Sequence, residues 1–168
     1  MCIVACLAMA AFLSVVGRAA SDSGQTVKPK QLSTEELKKL RWIEGTWRGT
    51  GDVERPFYER YHFENDSTLA VESFADEKLS KVEDVTRFEL KDGQFGGGGG
   101  GSRWVVTELM ESSVTFSPAE KARNSFRWQK ETDGSWKAVL DWPATADKPA
   151  RQRAYKMEPW PTAQPPGK

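Results

Sequence analysis

The chain is nearly empty of cysteine and histidine. Its 168 residues include two cysteines, Cys2 and Cys6, and one histidine, His62. Both cysteines fall inside the apolar opening stretch MCIVACLAMAAFLSVVGRAA. A chain processed beyond that stretch has no disulfide, no thiolate nucleophile and no cysteine-held metal. One histidine is too few for a His-based zinc site. A Ser-His-Asp relay has only His62 to draw on, and no Gly-x-Ser-x-Gly elbow occurs. Neither a metal nor a cofactor is expected. An excess of one charge is lacking too. Lys+Arg and Asp+Glu both number 24, so no overall field draws in nucleic acid or an anionic membrane. After the opening stretch, no segment is apolar for long enough to span a membrane as a helix.

The opening stretch has the length and hydropathy of a secretory signal, with Gly17 and Ala19 at the small positions of a cleavage site after Ala19. Residues 1–20 are read as a signal peptide, and the mature protein as secreted or periplasmic. IVAC at 3–6 has the form of a lipoprotein box, but no apolar region precedes it, which argues against lipidation of Cys6. Polar residues 21–32 read as a flexible leader, 33–158 as one domain, and the Pro-rich residues 159–168 as a disordered tail.

What the domain does have is aromatic area (Trp 7, Phe 8, Tyr 3) and clear periodicity, enough to build a core despite 29% charged residues. QLSTEELKKLRWIEG predicts a short helix. Ser33 or Thr34 caps it, Glu35 and Glu36 occupy the first turn, and Leu37, Leu40 and Ile43 form one apolar stripe. Gly45 ends it. The period then becomes two, predicting strands over 46–50, 56–64, 68–75, 83–91, 103–110, 113–117, 124–131, 135–142 and 151–158. Asn65-Asp66-Ser67, Asp92-Gly93, Glu111-Ser112 and Asp133-Gly134 supply the turn chemistry. Consecutive strands with tight turns predict an all-β, antiparallel up-and-down barrel of about 8–10 strands. The glycine run 96–101 is not followed by Lys and Ser/Thr or by a helix, so it is no phosphate loop. It reads as a flexible linker at a hairpin tip.

A short helix followed by Gly45-Thr46-Trp47 on the first strand resembles the lipocalin-like, or calycin, superfamily. The resemblance implies that Trp47 closes the base of the barrel beneath an Arg from the last strand, Arg153 being the natural candidate and Arg151 the second. An indole face under a guanidinium is also physically apt. The longer motif GTWRGTG is similar to that of nitrobindin-like haem barrels. It is also similar to small secreted bacterial proteins of unknown function, which Glu59, Tyr61 and Arg87 match loosely. The haem likeness implies a His ligand near the C-terminus, and this chain has no His after His62.

Alternation places Phe57, Glu59, Tyr61 and Phe63 on one face of the second strand, and that face is the more apolar. Trp104 with Val106, Phe126 with Trp128, Trp136 with Ala138, Leu140 and Trp142, and Arg153 with Tyr155 and Met157 make further inward stripes. Glu59, Tyr61, Phe63, Arg87, Trp128 and Tyr155 are therefore the expected ligand-binding residues, and Gly45, Trp47 and Arg153 the expected barrel closure. The function expected is non-catalytic binding of a small apolar or amphipathic molecule. An isomerase or hydrolase working through Glu59 and Arg87, and a solid-core envelope interaction module, are the alternatives.

Overall fold

The computed structural model describes residues 28–51, 55–99 and 101–161. The expected signal segment, with Cys2 and Cys6, lies outside the described residues, as do most of the leader and the last residues of the tail.

The helix begins as predicted but tightens at once. Helix α1 (Thr34–Leu37) carries a capping box: Ser33 Oγ accepts from the Glu36 amide, and the Glu36 carboxylate accepts from the Ser33 amide at 3.0 Å. Lys38–Ile43 continues as a 3-10 helix. The stripe Leu37, Leu40, Ile43 repeats every three residues, which is the period at which 3-10 side chains eclipse, and all three are buried.

Ten strands follow: β1 (Gly45–Thr50), β2 (Phe57–Asn65), β3 (Thr68–Phe74), β4 (Val82–Lys91), β5 (Gln94–Gly97), β6 (Arg103–Leu109), β7 (Ser113–Glu120), β8 (Ser125–Lys130), β9 (Trp136–Trp142) and β10 (Arg151–Pro159). Each pairs antiparallel with its sequence neighbour, and β1 pairs with β10, so the sheet closes. Closure leaves no free sheet edge.

The two ends of the barrel differ. One carries tight turns. Asp92 and Gly93, both at positive φ, join β4 to β5 in a two-residue hairpin, and Gly134 at positive φ turns β8 into β9. The 3-10 helix lies over this end, tied by Arg41 to Asp66 (3.3 Å) and Lys39 to Glu111 (2.8 Å). The other end is made by the longer connections 75–81, 98–102, 121–124 and 143–150. These are called below the cap end and the loop end.

Three sequence expectations change here. The leader is not flexible throughout: the Lys30 amide donates to Val106 O at 2.8 Å, the Leu32 amide donates to Gly93 O at 2.7 Å, and Leu32 is buried at the cap end. The tail does not start at Pro159, which is the last residue of β10. Trp160 beyond it is also fixed, its amide donating to Thr46 O and its indole to Glu77 O at 2.9 Å. The glycine run is wall as well as loop. Gly96 and Gly97 belong to β5, the one strand the periodicity did not predict. A Cβ on Gly96 would come within 2.2 Å of Trp104 O, and one on Gly97 within 2.3 Å of Arg87 O. Neighbouring backbone comes so close here that only glycine fits.

Candidate functional site

The cap-end half of the interior is filled. Trp136 sits at its centre, ringed edge-on by Trp42, Trp47, Tyr61 and Trp128 at centroid distances of 5.4–6.3 Å. Trp128 also packs on Phe88 and Phe116, and Phe116 stacks on Phe126 at 4.5 Å. Leu69, Phe95, Val106, Val114 and Met157 fill the remaining space. A small barrel filled by side chains has this form.

Toward the loop end the same inward stripes lose their cover. By register, Phe57, Glu59, Ser73, Thr86, Trp104, Phe126, Leu140 and Tyr155 continue the inner face, and each is only half-buried. The inner face thus has a fully packed part and, at the loop end, a half-exposed part whose rings pack on that core, called below the open half, with Tyr61 and Trp128, both buried, as the floor beneath it.

Glu59 stands just above that floor. It lies across from Trp47 on β1 and Ser73 on β3. Tyr61 Oη donates to Glu59 Oε2 at 2.7 Å, and Ser73 Oγ lies 3.5 Å from Oε1. Burial raises the Glu59 carboxyl above the usual carboxylate range, and the hydroxyls of Tyr61 and Ser73 offset part of that rise. Burial and the adjoining carboxylate push the Tyr61 phenol well above its ordinary value. The phenol thus stays a donor, and the carboxylate is the acceptor. No Lys or Arg forms an ion pair with Glu59 among the described residues. Higher in the opening, Phe57 and Tyr155 meet edge to face at 5.4 Å, and Arg153 donates to Tyr155 Oη at 3.2 Å.

Of the residues predicted to bind a ligand, Glu59 and Tyr155 line the open half, and Tyr61 and Trp128 floor it. Phe63 and Arg87 do not belong to it. Phe63 is inward but lies at the cap end, under the Arg41 guanidinium at 4.3 Å and tied by its amide to Glu44. Arg87 is on the outer wall, exposed and held by Glu64 through Nε at 3.0 Å and Nη2 at 2.8 Å. Its register partner Ala70 and its neighbour Phe88, which points inward, fix that direction. The Glu59–Arg87 pair invoked for an enzyme is therefore not assembled.

Barrel closure also differs from expectation. Trp47 is buried, and its indole donates to Ile43 O at 2.8 Å, locking β1 to the 3-10 helix. Gly45, at φ 139°, makes the entry into β1, where a Cβ would lie 3.6 Å from the Trp47 ring. Arg153 does not cover that ring. Trp47 pairs with Pro159, and Arg153 lies six residues back along β10, about 20 Å away at the rise of a strand. Trp136 covers Trp47 instead. Arg151, the second candidate, stacks on Trp142 at 4.3 Å near the loop end.

Sequence reasoning left Phe57, Ser73, Trp104, Phe126 and Leu140 out of the site. The signal was present, since alternation already put Phe57, Trp104, Phe126 and Leu140 on inward stripes. Which end of each stripe stays open was not encoded locally. His62 follows the inward Tyr61 and lies on the outer face, so it does not reach the interior that a haem would need. Among the described residues, no group of three His, Cys, Asp or Glu side chains could hold a metal ion, and no helix is long and apolar enough to cross a membrane.

No protein-family model and no curated protein matches the chain. Among solved structures it is similar to the crystal structure of Rv2717c from M. tuberculosis, at 15% identity and a TM-score of 0.41, over 75% of this chain and 96% of that one.

Proposed function

We propose that the protein binds a small, partly apolar molecule in the open half of its barrel, without catalysis. The observation that carries this reading is the cluster of half-exposed inward side chains at the loop end, gathered around the Glu59 carboxyl and backed by the buried Tyr61 and Trp128. Half-exposed Phe57, Trp104, Phe126, Leu140 and Tyr155 offer apolar contact area, and Glu59 offers one polar anchor. Concave apolar lining with few polar groups is the usual composition of a small-molecule site. Export to a periplasm or the cell exterior belongs to the same proposal. It is supported by the N-terminal apolar stretch.

The test uses N-phenyl-1-naphthylamine, a neutral dye that brightens in apolar cavities. Saturable binding at one dye per chain is expected. Ser73→Trp, which sets an indole into the opening from a half-exposed position, should abolish it. Arg87→Ala, which alters only the outer wall, should leave it unchanged. Dye binding that survives Ser73→Trp in a folded variant, or no dye binding at all, refutes the reading.

A further inference from the structure

The chemistry around Glu59 says more about the ligand than its apolarity. Glu59 sits inside the barrel with only neutral donors beside it, the phenol of Tyr61 at 2.7 Å and the hydroxyl of Ser73 at 3.5 Å. Two arginines on the neighbouring wall are directed elsewhere: Arg60 pairs with Glu72 at 3.2 Å, and Arg87 pairs with Glu64 on the outer face. The next strand adds charge of the same sign, since Asp84 lies opposite Ser73 in the same cross-strand row. Arg153, higher on the inner face, donates to Tyr155 Oη, and among the described residues no cation forms an ion pair with Glu59.

We infer that the natural ligand is an organic cation, an apolar body bearing a protonated amine that donates to Glu59 Oε1. The inference rests on the reading of the open half as a ligand site. A carboxylate has roughly four acceptor positions, and Oε1 has only the Ser73 hydroxyl, at the outer limit of hydrogen bonding. A neutral donor would satisfy a lone pair but leave the half-buried carboxylate without an opposite charge. An ammonium satisfies both, and ion pairing recovers part of the cost of holding the carboxylate away from water.

The surrounding rings favour the same class. Phe57 and Tyr61 flank Glu59 at the positions two before and two after it, on the same face of β2. Tyr155 adjoins Phe57, and Trp128 adjoins Tyr61. Aromatic faces attract cations by their quadrupoles, most strongly where water is thinned. At Glu59 itself an anionic ligand would meet repulsion.

Three nearly isosteric probes separate the possibilities: 1-naphthylmethylamine, 1-naphthylmethanol and 1-naphthoate, titrated calorimetrically into the purified protein at neutral pH. The amine should bind at least about tenfold tighter than the alcohol, and the acid weakest of all. Glu59→Gln keeps the volume and the hydrogen bond from Tyr61. It should bring the amine down to the affinity of the alcohol and leave the alcohol within about threefold of its original value, with the far-ultraviolet spectrum confirming the fold. If the alcohol or the acid matches the amine in the unaltered protein, or if Glu59→Gln retains the amine's advantage, the cation inference is overturned while the site stands. If none of the three binds, both fail.

Discussion

Two tryptophans in the filled cap-end half differ in one respect that stability measurements can isolate. Trp47 and Trp136 are both buried, and their rings touch at 5.9 Å. The Trp47 indole donates to Ile43 O at 2.8 Å, whereas the Trp136 indole nitrogen, enclosed by rings, has no hydrogen-bond partner among the described residues. Replacing either by Phe removes about two methylene equivalents of apolar burial, or about 1.5 kcal/mol at ~0.8 kcal/mol each. Trp47→Phe also strands a buried carbonyl, which adds about 1–3 kcal/mol and brings the total to about 3–4 kcal/mol. Trp136→Phe strands nothing and removes a buried donor that had no acceptor. That gain is partly spent on poorer edge contacts with Trp42, Tyr61 and Trp128, so the total is about 1–2 kcal/mol. The gap between the variants is then about 2 kcal/mol, or roughly 6–10 °C in Tm for a domain of this size. Urea unfolding followed by far-ultraviolet circular dichroism measures it without depending on the altered fluorophores. Two variants within about 0.5 kcal/mol of each other would refute the argument, as would a larger loss at Trp136.

Glu59 makes stability depend on pH in a definite direction. Burial raises its carboxyl pKa in the folded state, so the fold binds that proton more tightly than the unfolded chain does. Stability from this group is full below the ordinary carboxylate pKa of about 4.3 and is lost as pH rises through the raised value. Glu59→Gln should therefore melt higher than the parent protein at neutral pH, with the difference closing on acidification. A pH-independent difference, or a more stable parent at neutral pH, would contradict the burial argument. In the glycine run, Gly97→Ala should cost about 1–3 kcal/mol by overpacking, because its Cβ would fall within 2.3 Å of Arg87 O. Gly99→Ala, with nothing within 4 Å, should be close to neutral. Equal melting temperatures for these two variants would return the whole run to the status of a linker.

Much of this protein was legible in the sequence because it is locally encoded. Ser33 and Glu36 announce the helix start, Asp92-Gly93 and Asp133-Gly134 announce hairpins, and alternation in FYERYHFEN and WKAVLDW announces strands that bury one face. A chain of such hairpins tends to curl and close, so the barrel followed from the pattern. Even the tightening of the helix is written in the threefold spacing of Leu37, Leu40 and Ile43. What failed was whatever depended on position along a strand or on a neighbour far away in sequence. β5 was missed because Gly96 and Gly97 have no side chain to alternate; the backbone packing that demands glycine comes from β4 and β6. Alternation could assign Arg153 a face but not a height, and about 20 Å of strand separates it from the ring it was expected to cover. Arg87 was drawn into the site by a loose likeness, while Glu64, 23 residues away, holds it on the outer wall. The division between a filled and an open half is likewise tertiary, since it depends on how ten stripes of unequal bulk stack against one another and beneath the 3-10 cap. Periodicity records which way a side chain points. Only closure of the sheet decides what it meets there.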